Sequence, residues 1–492
     1  MPTDSFVAFD LGAESGRALL GTLEDGLLRM KEVHRFPNSP INVLGHLQWD
    51  VFRLFEELKV GLKAALAAAL TAPQDQPCSI GIDTWGVDFA LLGEDGMFLG
   101  LPFAYRDKRT DGMLEELFRL VPRREIYKYT GIQFQQFNTL VQLLAMKRSR
   151  STALDSARHL LFIPDALTYM FSGVRCSEFT FATTSQLMDP RSGSWVPELF
   201  RAIGVDPEIM QRIVQPGTVL GPLAPDPARE CGAAPLSVVA VGSHDTASAV
   251  ASVPATDGRW AYISSGTWSL LGVELPHPVI TDEGLEGNFT NEGGVGGKIR
   301  FLKNLVGLWL LQECRRAWGL QPGYEDLMKL AAAAEPFRSF VNPDDHRFYR
   351  PESMPAEIAA YCSATGQRVP ESQGEFARCI LESLAMKYRE AIDQLTGVLG
   401  HSLDRLHIIG GGSRNRVLCQ YAANVTGLPV VAGPVEGTAI GNLLVQAMAA
   451  GILPSLSACR EVVKRSFELT EYLPVDRDRW EEAYARFRKI IF

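Results

Sequence analysis

Two passages of the chain share one pattern. Residues 7–21, Val-Ala-Phe-Asp-Leu-Gly-Ala-Glu-Ser-Gly-Arg-Ala-Leu-Leu-Gly, and residues 261–273, Ala-Tyr-Ile-Ser-Ser-Gly-Thr-Trp-Ser-Leu-Leu-Gly-Val, each run apolar, small, apolar. Such a sequence predicts a β-hairpin with a small-residue tip. The two lie about half a chain apart. That spacing predicts a duplicated domain, with one hairpin opening each half. Length points to the same count, because 492 residues exceed one core and single cores stop growing near ~250–300 residues.

The stretches between the hairpins read as α/β structure. Asp50 is placed to cap an amphipathic helix carrying Val51, Leu54, Phe55, Leu58 and Leu62 on one face. A further hairpin is expected over 79–93, and a Pro-, Gly- and Ala-rich stretch, 214–236, leads into a strand at Ser237–Val241. Asn304, Leu308 and Gln312 stand at i, i+4 and i+8, which predicts one stripe of a helix. Later come a helix over about 376–396, a strand Leu406–Ile409 and the turn Gly410-Gly411-Gly412. A helix to Gly427, a strand Leu428–Ala432 and a helix Glu436–Ala450 stopped by Gly451 follow. Strand, glycine turn, helix, strand, helix is a parallel α/β unit. Three domains are expected: 1–250, 251–453 and a tail 454–492. The last helix of that tail packs down through Trp480, Tyr484, Phe487 and Ile491.

Composition removes several classes of function. Lys plus Arg reach 48 against 57 acidic residues, a net charge of −9, which argues against nucleic acid or an anionic membrane as partner. No apolar run approaches the ~20 residues of a spanning helix, and residues 1–5 lack a basic segment followed by an apolar one. Eight cysteines without a CxxC or a Cys/His metal spacing fit a reduced, cytoplasmic protein, so Cys362 and Cys379 are not expected to pair.

The polar groups then point to phosphate and sugar chemistry. Gly12, Ala13, Ser15 and Gly16 are small enough for backbone N–H groups to approach a phosphate closely. Asp10, at the end of an apolar strand, is placed to hold Mg²⁺ through water, although a plain acidic turn fits equally. Ser264-Ser265-Gly266-Thr267-Trp268-Ser269 is a second loop of this kind. Gly410-Gly411-Gly412-Ser413-Arg414-Asn415 lets a flat ring or ribose lie on the backbone; the NAD fingerprint is disfavoured because Asn415 replaces its third glycine. Ser243-His244-Asp245-Thr246 follows a strand, where α/β sheets place ligands. Asp245 suits a carboxylate accepting a hydroxyl proton, while His244 and Thr246 suit a polyol; an Asp-Thr helix cap is the plain alternative. Residues 82–88, Ile-Asp-Thr-Trp-Gly-Val-Asp, mix carboxylates with an aromatic, as sugar sites do, though Trp85 also fits a core.

Together these passages resemble the FGGY carbohydrate kinases, nearly end to end. The likeness is carried by Phe9-Asp-Leu-Gly-Ala-Glu-Ser-Gly-Arg17, Gly81-Ile-Asp-Thr-Trp-Gly-Val-Asp-Phe89 and Ala104-Tyr-Arg-Asp-Lys-Arg-Thr110. It continues through Ser243-His-Asp-Thr-Ala-Ser-Ala249, Ser264-Ser-Gly-Thr-Trp-Ser269, Thr290-Asn-Glu-Gly-Gly294, Asn304-Leu-Val-Gly-Leu-Trp-Leu-Leu-Gln312 and Ile409-Gly-Gly-Gly412. The resemblance implies two ribonuclease-H-like domains of the actin/hexokinase type around a central ATP/sugar cleft. It implies transfer from ATP–Mg²⁺ to the 1-hydroxyl of L-rhamnulose, in L-rhamnose catabolism, with L-fuculose or D-xylulose as alternative ketoses. Carried over by position, Asp245 is the catalytic base, and Gly86, His244, Asp245, Thr246 and Asn304 contact the sugar. Ala13, Glu14, Ser15, Gly16, Arg17, Thr267, Gln312 and Gly411 contact the nucleotide. Glu14 stands where a serine is common in near relatives, so its carboxylate must point away from the phosphates or reach the metal. A monomer or small homo-oligomer is expected.

Overall fold

The computed structural model describes residues 4–69, 76–349 and 351–491; residues 1–3, part of the amino-terminal segment read above, lie outside the described residues. The chain divides into two compact units. One comprises Met1–Pro254, Glu274–Phe301 and Gly437–Ser466, the other Ala255–Val273, Leu302–Glu436 and Phe467–Phe492. The units interleave along the chain instead of following one another.

In the first unit, six strands lie in the order Thr218–Pro222, Ser237–Ala240, Ser79–Thr84, Asp4–Leu11, Ser15–Glu24 and Leu27–Pro37. Asp4–Leu11 is antiparallel to Ser15–Glu24, the hairpin expected from residues 7–21. On its other side it runs parallel to Ser79–Thr84, which is in turn parallel to Ser237–Ala240. Phe6 to Leu11 are buried without alternation, as a strand covered on both faces requires. At the edge, Leu27–Pro37 buries only Leu28 and Phe36 and carries Arg29, Lys31, Glu32 and Arg35, charges that discourage further pairing. Helix Val51–Ala69 covers the sheet with Val51, Leu54, Leu58 and Leu62, and the Asp50 carboxylate caps it by accepting from Arg53 N at 3.0 Å.

The expected hairpin over 79–93 does not form. Ser79–Thr84 sits inside the six-stranded sheet, whereas Phe89–Leu92 pairs antiparallel with His159–Phe162. The chain leaves the sheet after Thr84 and enters a second apolar cluster of this unit, built by Phe89, Leu91, Leu140, Leu160, Phe162 and Phe181 among others. A long-range partner outcompetes the local turn, which sequence spacing does not reveal.

In the second unit the corresponding strands neighbour one another as Ile299–Val306, Trp268–Leu275, Trp260–Ser265, Arg405–Ile409, Val430–Ala432 and Thr470–Tyr472. Trp260–Ser265 is antiparallel to Trp268–Leu275 and parallel to Arg405–Ile409; Val430–Ala432 follows in parallel and Thr470–Tyr472 antiparallel. Numbered within each unit, both sheets share the order three, two, one, four, after which the first places its sixth strand before its fifth and the second continues five, six. The duplication expected from two hairpins is therefore present in the topology. Helix Gln373–Leu399 buries Ile380, Leu384, Tyr388 and Leu395, and helix Arg477–Ile491 buries Trp480, Tyr484 and Phe487. Among the described residues, no helix is long and apolar enough to cross a membrane. All eight cysteines are free, Cys362 and Cys379 included.

Candidate active site

Three neighbouring parallel strands of the first unit end at one edge and bring three carboxylates together. Asp10 and Asp83 are direct partners across Asp4–Leu11 and Ser79–Thr84. Thr84 N donates to Ser243 O at 2.9 Å, and Thr84 bridges His244, so the chain beyond Ser237–Ala240 continues beside this edge and delivers Asp245 to it. Asp83 is completely buried; Asn442 donates to its Oδ2 at 2.6 Å, and its Oδ1 has no hydrogen-bond partner. Burial, then the Asp10 charge, push the Asp83 carboxyl well above its ordinary value; Asn442 opposes them and the Asp245 charge adds to them. Carboxylates crowded at the carboxyl ends of parallel strands form a setting for a cation or a phosphate with its counter-ion.

Asp245 opens helix Asp245–Ala251, and 35% of its side chain is exposed. Its Oδ1 accepts from Thr246 N at 2.5 Å and Thr246 Oγ1 at 3.1 Å; the N-cap position is His244, which makes no side-chain cap bond, so the Asp-Thr cap is not formed and Asp245 stands in the first turn. Behind it, Glu178 fixes the preceding backbone: its Oε2 accepts from Ser243 N at 3.1 Å and Ser243 Oγ at 2.7 Å. Burial raises the Glu178 carboxyl, while bonds from Thr180 and Ser243 hold it down. Gly86 packs against His244, since a Cβ there would meet the ring Nε2 at 3.2 Å.

The loop carrying Gly86 is held from below by Asp88. Its Oδ2 accepts from Trp49 Nε1 at 2.7 Å, Trp85 Nε1 at 2.9 Å and Tyr105 N at 3.0 Å, and its Oδ1 accepts from Gln142 Nε2 at 2.9 Å. Trp85 is thus core and framework at once. Burial raises the Asp88 carboxyl to about 6 against the pull of these donors. Val87 adopts φ 70°, a region disfavoured for a β-branched residue, and its carbonyl is pinned by Thr139 Oγ1 at 2.6 Å.

The loop 12–16 is closed on itself. Gly12 N donates to Ser15 O at 2.9 Å, and Asn38 clamps both ends, giving Nδ2 to Gly12 O at 2.7 Å and its N–H to Glu14 O at 3.0 Å. Glu14 is exposed, while Arg17 pairs with Asp10 at 2.5 Å. Ala13, Ser15, Gly16 and Arg17 therefore stand in one hairpin with Asp10, in the unit that also carries Gly86 and the 244–246 turn.

In the second unit, Gly266 and Thr267 form the hairpin tip. Their carbonyls accept from Leu308 N at 2.9 Å and Gly307 N at 3.0 Å, which seats the tip on the start of helix Trp309–Ala317. Gly412 packs on the same hairpin, because a Cβ there would lie 2.0 Å from Ser265 Oγ; a Cβ added at Gly411 would meet nothing within 4 Å, and Gly411 is exposed. Asn415 is buried and caps helix Arg416–Thr426 through Leu418 N at 3.0 Å, a structural task where a dinucleotide turn needs glycine. The helical stripe of Asn304, Leu308 and Gln312 is corrected. Asn304 lies on strand Ile299–Val306, Leu308 precedes the helix, and Gln312 alone is helical. Pairing with Trp268–Leu275 and the close approach of Gly307 to Trp268 impose the strand and the break. Gln312 retains a buried side-chain oxygen without a hydrogen-bond partner.

Comparison with known proteins places these loops in a family. Residues 5–252 match the N-terminal domain, and residues 261–450 the C-terminal domain, of the FGGY family of carbohydrate kinases. The chain belongs to that family and is an ATP-dependent sugar kinase with the two-domain actin/hexokinase-like fold. Among relatives it is 47% identical over 488 residues to a rhamnulokinase of Bacteroides thetaiotaomicron, covering 99% of each chain. It is 42% identical to a rhamnulokinase of Oceanobacillus iheyensis, covering 95% of this chain and 98% of the relative. Of solved structures, a ligand-bound xylulose kinase from Lactobacillus acidophilus superposes with TM-score 0.81 at 14% identity, covering 99% and 97%. A Plasmodium falciparum glycerol kinase with ADP gives 0.78 at 14%, covering 99% and 98%; at such identities the likeness is one of fold.

Residues that sequence reasoning left unassigned include Glu178, Arg300 and Asn442, each separated by many positions from the groups it holds. Glu292 lay in a recognised motif, Thr290–Gly294, without a role.

Proposed function

We propose that the protein phosphorylates L-rhamnulose on its 1-hydroxyl with ATP, giving L-rhamnulose 1-phosphate and ADP, with Asp245 as the proton acceptor. The substrate reading draws on the 47% identity, over 99% of both chains, to a protein named rhamnulokinase. The observation that carries the chemistry is Asp245 itself: a part-exposed carboxylate at the strand edge, two residues after Ser243, which Glu178 clamps. The ketose oxygen attacks the γ-phosphorus, the bond to the ADP oxygen breaks, and the hydroxyl proton passes to Asp245. Because phosphoryl transfer is loose, positioning supplies most of the rate and the proton moves late. Gly86, His244, Thr246 and Asn304 are the proposed sugar contacts; Ala13, Glu14 (by its backbone), Ser15, Gly16, Arg17, Thr267, Gln312 and Gly411 are the proposed nucleotide contacts. Most of the sugar contacts, the first phosphate loop and the base are assigned to 1–250, the remaining nucleotide contacts and Asn304 to 251–453, and packing to the tail 454–492.

For Mg²⁺ the donor set fits. Asp10 and Asp83 pair across adjacent strands, and the unpartnered Asp83 Oδ1 is a carboxylate oxygen that a cation would satisfy. Among the described residues no group of three or more His, Cys, Asp or Glu is disposed to ligate a metal directly, which favours contact with Asp10 through water. When bound, the ion neutralises charge on the phosphates. A cytoplasmic location accords with the eight free thiols, and a monomer or small homo-oligomer is proposed.

The test is an ATP-coupled assay of wild type and Asp245→Asn across L-rhamnulose, L-fuculose and D-xylulose, with the phosphorylated carbon located by NMR. Preference for L-rhamnulose at C1 is expected, with a loss of about 10²-fold or more in kcat for Asp245→Asn and ketose binding retained. Near-normal turnover in that variant refutes the role of Asp245, and preference for another ketose refutes the substrate.

A further inference from the structure

A buried ionic group stands behind the proposed base. Arg300 is completely buried, Glu292 is 5% exposed and His244 8%. Arg300 Nε donates to Gly293 O at 2.7 Å, and its Nη2 lies 3.2 Å from His244 Nδ1 and 3.2 Å from Glu292 Oε2. Glu292 Oε2 is 3.4 Å from His244 Nδ1, yet no hydrogen bond is directed at it. On the other side of the ring, Nε2 lies 3.4 Å from Asp245 Oδ1 and faces Gly86. The groups facing the imidazole are thus Arg300, Glu292 and Asp245, with the edge of Phe181 completing the wall and the His244 N–H resting 3.3 Å from Thr180 Oγ1.

A guanidinium can only donate, so the ring nitrogen it addresses must present a lone pair. With Nδ1 committed as acceptor, the proton of the neutral imidazole sits on Nε2. We propose that Arg300, with Glu292 as its counter-charge, is a positioning residue for phosphoryl transfer: it fixes the His244 tautomer that points an N–H at Asp245 and the sugar position. Asp245 as proton acceptor is the premise. The opposite tautomer turns the Nε2 lone pair toward the Asp245 carboxylate, replacing attraction with repulsion and moving the base off its line. Glu292 is the group that stabilises that wrong tautomer once Arg300 is gone, because its Oε2 is already within 3.4 Å of Nδ1. Burial works to raise the Glu292 carboxyl, but the charge facing it, that of Arg300, helps to hold it below its ordinary value.

The test combines kinetics with ¹⁵N spectra of the histidine-labelled enzyme, assigned through His244→Gln. Wild type is expected to show the His244 proton on Nε2. Arg300→Met is expected to move it to Nδ1 and to lower kcat by about 10- to 100-fold, with KM for the ketose within about threefold. Arg300→Lys, which keeps a donor, recovers most of kcat. Arg300→Met/Glu292→Gln replaces the anionic acceptor with a neutral amide that can itself donate to Nδ1, and recovers part of kcat, an outcome that plain loss of packing does not produce. Where Arg300→Met leaves Glu292 buried, unpaired and the chain unfolded, the double variant carries the test, since it holds no unpaired buried charge. A wild-type proton on Nδ1, or kcat within twofold of wild type in the folded single or double variant, overturns the proposal. Full activity in Asp245→Asn removes the premise instead, so the two failures are distinguishable.

Discussion

Helix Gly437–Ala449 and helix Asp245–Ala251 of the first unit touch at backbone distance, and one methyl group tests what that contact does. A Cβ added at Gly441 would lie 1.8 Å from the Ser248 carbonyl oxygen, 2.6 Å from its carbon and 3.1 Å from its Cα. All three atoms are backbone, so no rotamer change relieves them. Ordinary contact begins at 3.4 Å, and the two helices must therefore part by about 1.6 Å at this point. Helix propensity alone favours alanine by ~0.5–1 kcal/mol, whereas overpacking costs ~1–3 kcal/mol or more. The sign of the net effect decides between them. Gly441→Ala is expected to destabilise by about 1–2 kcal/mol and lower Tm by several degrees. Because the displaced helix begins with Asp245, kcat is expected to fall about 10²-fold, the usual consequence of misplacing a reacting group by ~1 Å. Differential scanning fluorimetry and the coupled ATP assay read the two effects. Gly397→Ala, in a helix where an added Cβ meets nothing within 4 Å, is the control, with Tm unchanged or raised and normal kcat. If Gly441→Ala behaves like Gly397→Ala, the helix contact does not position the base and the reasoning fails.

Two further outcomes follow from the framework around the site. Asp88 has a carboxyl raised to about 6, so its protonated form adds stability that is complete below the ordinary carboxylate value near ~3.9 and is lost as pH rises through about 6. The stability of wild type relative to Asp88→Asn is accordingly expected to fall by about 1 kcal/mol from pH 5 to pH 7 and to stay level above; a gap that widens with pH contradicts the buried carboxylate. Gly307→Ala would place a Cβ 2.6 Å from the Trp268 carbonyl carbon and 2.7 Å from Gly266 O, displacing the hairpin tip. KM for ATP is expected to rise about tenfold while calorimetric affinity for L-rhamnulose alone stays within twofold, and unchanged ATP kinetics removes the tip from the nucleotide contacts.

Local pattern carried much of the fold. The two hairpins were legible because apolar residues flank a small-residue tip with no alternative pairing nearby, and the strand–glycine–helix succession at 405–427 because its boundaries coincide with turn residues. The helical stripe of Asn304, Leu308 and Gln312 misled because periodicity cannot see Gly307 pressed on Trp268. Phe89–Leu92 misled likewise, its partner His159–Phe162 lying far along the chain.

By itself the sequence determined many of the strands and helices, the repeated hairpin, and which acidic and small residues end those strands, since these follow from interactions among near neighbours. Only the tertiary structure decided that Asp10, Asp83 and Asp245 share an edge, that Asn442 holds Asp83 from a segment near the other end of the chain, and that Arg300 faces His244. The physical reason is that these contacts join groups separated by tens to hundreds of positions. Their geometry is set by how helices and sheets bury apolar surface, and no local pattern encodes that.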